Sequence, residues 1–399
     1  MKKIIIALAF LLTITAFPIK TMALDASDFD LFPESDEETE SEFSEILSGQ
    51  LDSLELSYFD EFLESCESGT IISGGFYSCV VSLLNGEYFA DGQTLFSGIF
   101  EVFFSDLKSL LPSFVTIIAV TILVSVLSNF AGDFIKSDMQ KLLSLALNLV
   151  IIAVITPTVL AVATEVETGI NALSLQAETA FPILITLVYA LGGTASASCF
   201  SPLFYILSNV ILQLVAGYIF PMFLFIFGIN MINSLSPQMN FSALADFFLS
   251  VSKTALGVVF TIFSAVMALG GISAGGFDSV SYRTAKYAIS NSVPVIGSYV
   301  RDGFDLILLS GVLLKNAVGV GFVILAFATL LAPLSKLVCV SLLFKLSGAL
   351  TSLFSPKEVS GLFKSVAKSL SLISVAYIAV LFMYCIAIIM LLIGTNMIL

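Results

Sequence analysis

The feature that most constrains this chain is a succession of apolar runs, each near or above the roughly 18 residues that cross a bilayer as a helix. Eight follow one another after residue 112: 113–131, 142–163, 181–198, 203–230, 251–274, 304–332, 334–354 and 370–394. Residues are 58% hydrophobic and only 12% charged, where a soluble chain carries about a quarter charged. The expected fold is therefore all-α, a polytopic helical membrane protein of about eight spans. The run 181–198 is the shortest and breaks at Gly192-Gly193. It reads as a short span or as a re-entrant loop, which membranes tolerate where protein buries it.

Ahead of the spans, residues 1–23 combine Lys2 and Lys3, an apolar core from Ile4 to Phe17 and the small-residue end Thr21-Met22-Ala23. That is the pattern of a cleaved secretory signal peptide, so residues 24–112 begin outside the cytoplasm. Twenty of the 30 acids fall between Asp25 and Asp106, and Lys108 is the single base of the segment. The net charge of −14 thus describes one acidic extracytoplasmic stretch. It argues against nucleic-acid binding, which needs basic patches. Apolar residues at helical spacing (Phe43, Ile46, Leu47, Leu51, Leu54, and again Leu95 to Leu111) predict amphipathic helices there. Cys66 and Cys79 share this segment, and an oxidising space would allow them to pair.

Basic residues orient the spans, because cytoplasmic loops are enriched in Lys and Arg. With residue 113 starting outside, Lys136, Lys141, Arg283, Lys286, Arg301, Lys357, Lys364 and Lys368 all fall inside. The loop 164–180 then lies outside with Glu165, Glu167 and Glu178, and the C-terminus returns outside. Lys336, read as a tight-turn residue, is the exception.

Polar groups are costly inside lipid, which draws attention to 270–321, where Asp278, Arg283, Lys286, Arg301, Asp302, Asp305 and Lys315 sit between apolar runs. Residues 275–303 read as a cytoplasmic amphipathic elbow: a helix from Phe277 to Asn291 with Asp278 at its start, then a turn at Pro294 and Gly297. Lys315 lies about ten residues into its span, roughly 15 Å along a helix. At that depth its ammonium meets other helices or a watery cavity, with Asn316, Asp305 or a partner carboxylate to satisfy it. Two roles fit equally: a buried lock between helices, or a transport or gating site. Glycines 270, 271, 275, 276, 311, 319 and 321 permit close helix approach; the alternative is a helix broken around a substrate site. Candidate gate or partner-contact residues are Asp278, Arg283, Lys286, Pro294, Gly297, Lys315, Asn316 and Gly319.

Catalysis finds little support. The chain has no histidine, which removes Ser-His-Asp and Cys-His chemistry and the commonest transition-metal ligand. There is no phosphate-cradling loop, no dinucleotide fingerprint and no CxxC, so no cofactor or metal is expected.

The run Phe277-Asp278-Ser279-Val280-Ser281-Tyr282-Arg283-Thr284-Ala285-Lys286, then Pro294-Val295-Ile296-Gly297, then Leu314-Lys315-Asn316-Ala317-Val318-Gly319, resembles the stage III sporulation protein AE family. So does Phe181-Pro182 through Leu191-Gly192-Gly193 to Pro202, with Pro221 in the next span. The likeness covers roughly residue 86 to the C-terminus and does not extend to 24–85. It implies a non-enzymatic, multi-pass component of a channel-like complex in the mother-cell membrane facing the forespore. The implied partners are other stage III sporulation A proteins, including an ATPase and ring-forming proteins, and a forespore membrane protein. A self-sufficient permease with Lys315 at its substrate site and a purely structural platform are the alternatives.

Overall fold

In the computed structural model the described residues are 75–85, 92–134, 137–235, 241–292, 297–353, 357–396 and parts of 49–60. They are helical, with no strand among them. The expected signal peptide, Cys66 and Pro294 lie outside them. The helices are α1 (Phe76–Leu84), α2 (Gly92–Phe134), α3 (Ser137–Ala190), α4 (Thr194–Tyr205), α5 (Phe220–Leu235), α6 (Ser242–Ser292), α7 (Gly297–Thr351) and α8 (Lys357–Asn396). Two π-helical segments, Ile206–Ile211 and Val215–Ile219, link α4 to α5. Among the described residues, six helical stretches are long and apolar enough to cross a membrane: Phe100–Leu127, Asn148–Ala190, Val215–Leu235, Ser242–Ala288, Asp305–Thr351 and Val359–Asn396.

The helices run through several places expected to be loops. Residues 164–180 belong to the 54-residue α3. Their polar groups lower the hydropathy, yet Val162, Val166, Ile170, Leu173, Ala177, Phe181 and Leu184 stay buried at helical spacing, so one inward face persists through the dip. Their threonines turn back on the helix, Thr164 donating to Ala161 and Thr168 to Thr164. The chain reverses instead at Gly192, whose φ of +81° is a left-handed conformation that favours glycine. The run 181–198 is accordingly divided between the end of α3 and the start of α4. In the same way 304–332 and 334–354 form one 55-residue helix, with Pro333 accommodated inside it. Lys336 sits at no turn, and pairs across helices with Glu165 at 2.8 Å. The elbow is likewise no separate helix, since Phe277 to Asn291 continues α6 without interruption.

The core is α7. Of the most apolar window of each helix, 83% is buried for α7 against 22% for α6, so α7 is the hub and α6 the periphery. Gly348 faces Phe363, Gly169 faces Pro333 and Tyr377, and Gly319 faces Leu392. Gln176 donates to the Phe322 carbonyl at 3.1 Å and to the Tyr384 hydroxyl at 3.1 Å. These pairings run α7 antiparallel to both α3 and α8. Helix α6 lies parallel to α8: Asp246 pairs with Lys368 at 2.6 Å, and Gly275 faces Gly394. Near the first of these contacts Asn230 donates to Ser369 and Lys253 to Ser371, each at 2.8 Å. At mid-length, α1 closes over α7. Phe76 stacks on Phe322 at 5.0 Å and Phe59 meets the same ring edge-on at 4.9 Å. Cys79 is buried on α1, while its expected mate Cys66 falls outside the described residues.

Candidate functional site

One end of the bundle gathers the α3–α4 turn, the base of the α6–α7 hairpin and the last turn of α8. Lys315 lies fully buried on α7. Its ammonium donates to the Leu392 carbonyl at 3.4 Å, to the Thr395 hydroxyl and to Asn396 Oδ1 at 2.7 Å. These acceptors lie in the last turn of α8, where the helix dipole places partial negative charge. A lysine from one helix thus caps another. Asn316, Asp305 and an outside carboxylate, the partners expected for it, are not among these contacts. Asn316 is buried beside it, and neither atom of its amide finds a protein hydrogen-bond partner.

Asp278 performs the mirror-image task. It sits deep within α6, and the helix start it meets belongs to α4. Its two carboxylate oxygens accept the backbone N–H groups of Ala195 at 2.9 Å and Ser196 at 2.8 Å. Those are orphan donors of a helix N-terminus, where negative charge is favoured. The natural N-cap, Gly193, has no side chain to supply this bond; Asp278 supplies it from another helix.

Between these two anchors the backbones nearly touch. A Cβ on Gly275 would lie 2.1 Å from the Gly394 carbonyl oxygen, and one on Gly394 would lie 3.0 Å from that of Gly271. A Cβ on Gly319 would lie 2.7 Å from a Leu392 methyl. Small residues here let α6, α7 and α8 converge on the α8 terminus.

Further along the hairpin, Asp305 accepts from Lys286 Nζ and the Tyr282 hydroxyl, both at 2.7 Å, tying α6 to α7. Lys286 also lies 5.8 Å from the Tyr282 ring centre, within cation–π range. Arg283 is exposed on the outer face with Phe277, Val280 and Tyr287. The structure therefore sets Lys315, Asn316 and Gly319 on α7 against the end of α8, Asp278 on α6 against the start of α4, and Lys286 further along the hairpin against Asp305. It turns Arg283 away, makes Gly297 the first residue of α7, and leaves Pro294 outside the described residues. Thr395, Asn396 and Gly394 were missed by the reading of the sequence. A Gly-Thr-Asn run closing an apolar segment is a helix-stop signal that would have pointed to them.

The C-terminus and the hairpin base share this end, since Gly394 faces Gly275. An inside elbow with an outside C-terminus, as the basic residues suggested, does not fit that adjacency. The parity was lost because the chain does not reverse near Lys336, between the elbow and the C-terminus.

Long apolar helices, with buried charges spent on helix termini, define a polytopic helical membrane protein. A family model described as stage III sporulation protein AE matches residues 76–395, and the chain belongs to that family. The match starts ten residues earlier than the resemblance suggested and takes in α1. A relative is the Stage III sporulation protein AE of Bacillus subtilis (strain 168), 25% identical over 306 residues, which cover 75% of each chain. No solved structure matches.

Proposed function

We propose that this protein is a non-enzymatic membrane subunit of a transenvelope sporulation channel or secretion-like complex linking mother cell and forespore. In this reading it resides in the mother-cell membrane facing the forespore, with its N-terminal segment extracytoplasmic, and is needed for late forespore development. Its partners are other stage III sporulation A proteins, among them an ATPase and ring-forming proteins, and a forespore membrane protein. The observation that carries the reading is family membership over residues 76–395, a span that includes the charged end except Asn396. The environment of Lys315 supports a subunit over a permease, because its hydrogen bonds are made to the chain's own α8.

The test is genetic and then biochemical. In a spore-forming host, deletion of the gene should arrest late forespore development, and the wild-type chain should restore it. Normal development in the deletion strain removes the proposal. Solute flux through proteoliposomes holding this chain alone would put the permease in its place.

A further inference from the structure

We infer that the last turn of α8, Leu392 to Asn396, is a latch: a positioning segment seated in a socket on α6 and α7 and held there by Lys315. Three features on two helices build the socket. Gly275 of α6 admits the backbone of Gly394, Gly271 admits that of Met390, and Gly319 of α7 admits the Leu392 side chain. Lys315 then closes over the terminus with donors to Leu392, Thr395 and Asn396. Thr395 is buried whereas Asn396 is partly exposed, so the socket opens to the surrounding medium at Asn396. On the same helix Asp278 lies three residues beyond Gly275 and is bonded to Ala195 and Ser196. The seating of the chain's last turn thereby fixes the spacing between hairpin base and α3–α4 turn. Nothing in the sequence motifs of 270–321 assigns this role to residues 392–396.

The physical claim stands on geometry, and its biological consequence rests on the proposed subunit role. The experiment uses the full chain purified in detergent, with thermal unfolding as one readout and sporulation of the complemented deletion as the other. Asn396→Asp keeps an acceptor for Lys315 and should match wild type in both. Asn396→Lys sets two ammonium groups against each other at a partly exposed position, and should lower the melting temperature and lose sporulation. Removal of 395–399 and Lys315→Met should each lower the melting temperature, and the two changes together should lower it by less than the sum of the separate losses. Wild-type melting of Asn396→Lys, or additive losses in the combined variant, would overturn the latch. If melting follows the expected pattern while the gene deletion itself leaves sporulation normal, the latch stands and the subunit role falls.

Discussion

Replacing Gly275 with alanine is the sharpest perturbation the structure offers, because an internal control lies next to it. The new Cβ would sit 2.1 Å from the Gly394 carbonyl oxygen and 3.0 Å from its carbon, backbone atoms that cannot rotate away. Ordinary contact begins near 3.4 Å, so α6 and α8 must part by about 1 Å or more. A shift of that size applied to the 2.7 Å bond between Lys315 and Asn396 carries it beyond hydrogen-bond range. Overpacking of this kind costs about 1–3 kcal/mol. A lost charge-assisted bond adds about 1.5–3 kcal/mol, with incomplete additivity. The expected destabilisation is therefore about 2–5 kcal/mol. At Gly276 the Cβ meets nothing within 4 Å, and alanine there should be neutral or stabilising by up to about 1 kcal/mol through helix propensity. Unfolding of the two purified variants in detergent measures the difference. Equal stability of Gly275→Ala and Gly276→Ala would refute the close crossing and the seating of α8 that depends on it.

Three further outcomes follow from the same end of the bundle. Lys315→Met should lower unfolding stability by about 1.5–3 kcal/mol, the worth of hydrogen bonds from a charged group; a stability gain would mean that desolvating the ammonium outweighs its bonds. Asp278→Asn retains only one acceptor oxygen for two N–H groups and should cost about 1–2 kcal/mol, with hydrogen exchange rising at Ala195 or Ser196; unchanged exchange would remove the cap. Cysteines placed at position 290 and beyond Asn396 should react with an impermeant reagent from one face of the membrane, and one at position 236 from the other. Labelling of 290 and the C-terminus from opposite faces would contradict the shared end.

The helical class, the glycine-mediated crossings and the burial of Lys315 among helices were legible in the sequence because each rests on local composition. Depth and partner were not. Lys315 reads as a cation in need of an anion, and what answers it is a helix terminus 77 to 81 residues away in the chain. Asp278 reads as favourable to its own helix start, yet its helix begins at Ser242 and the start it serves is that of α4. Reversals were misplaced for a related reason. Hydropathy dips at 164–180 and near Lys336 resemble loops, whereas the buried face of each helix continues through them. A single Gly192-Gly193 pair turns the chain where a longer polar segment does not.

The lengths of these helices bear on whether the chain works alone. Helix α3, with 54 residues, is about 81 Å long as a straight rod, and α7, with 55 residues, about 83 Å. A bilayer's hydrocarbon core is about 30 Å thick. Large apolar side chains are exposed toward both ends of the bundle: Leu123, Leu142, Leu145 and Leu149 at one, Tyr189, Leu269, Ile272 and Ile393 at the other. Between these ends the outer face of α3 carries Thr164, Thr168, Asn171 and Glu178. A lipid slab that takes one apolar end leaves the other outside hydrocarbon, where exposed apolar surface of this extent marks contact with protein. Tilt does not remove the excess, because α3, α7 and α8 run side by side and would have to incline together through more than half a right angle. The dimensions therefore favour a protein completed by neighbours.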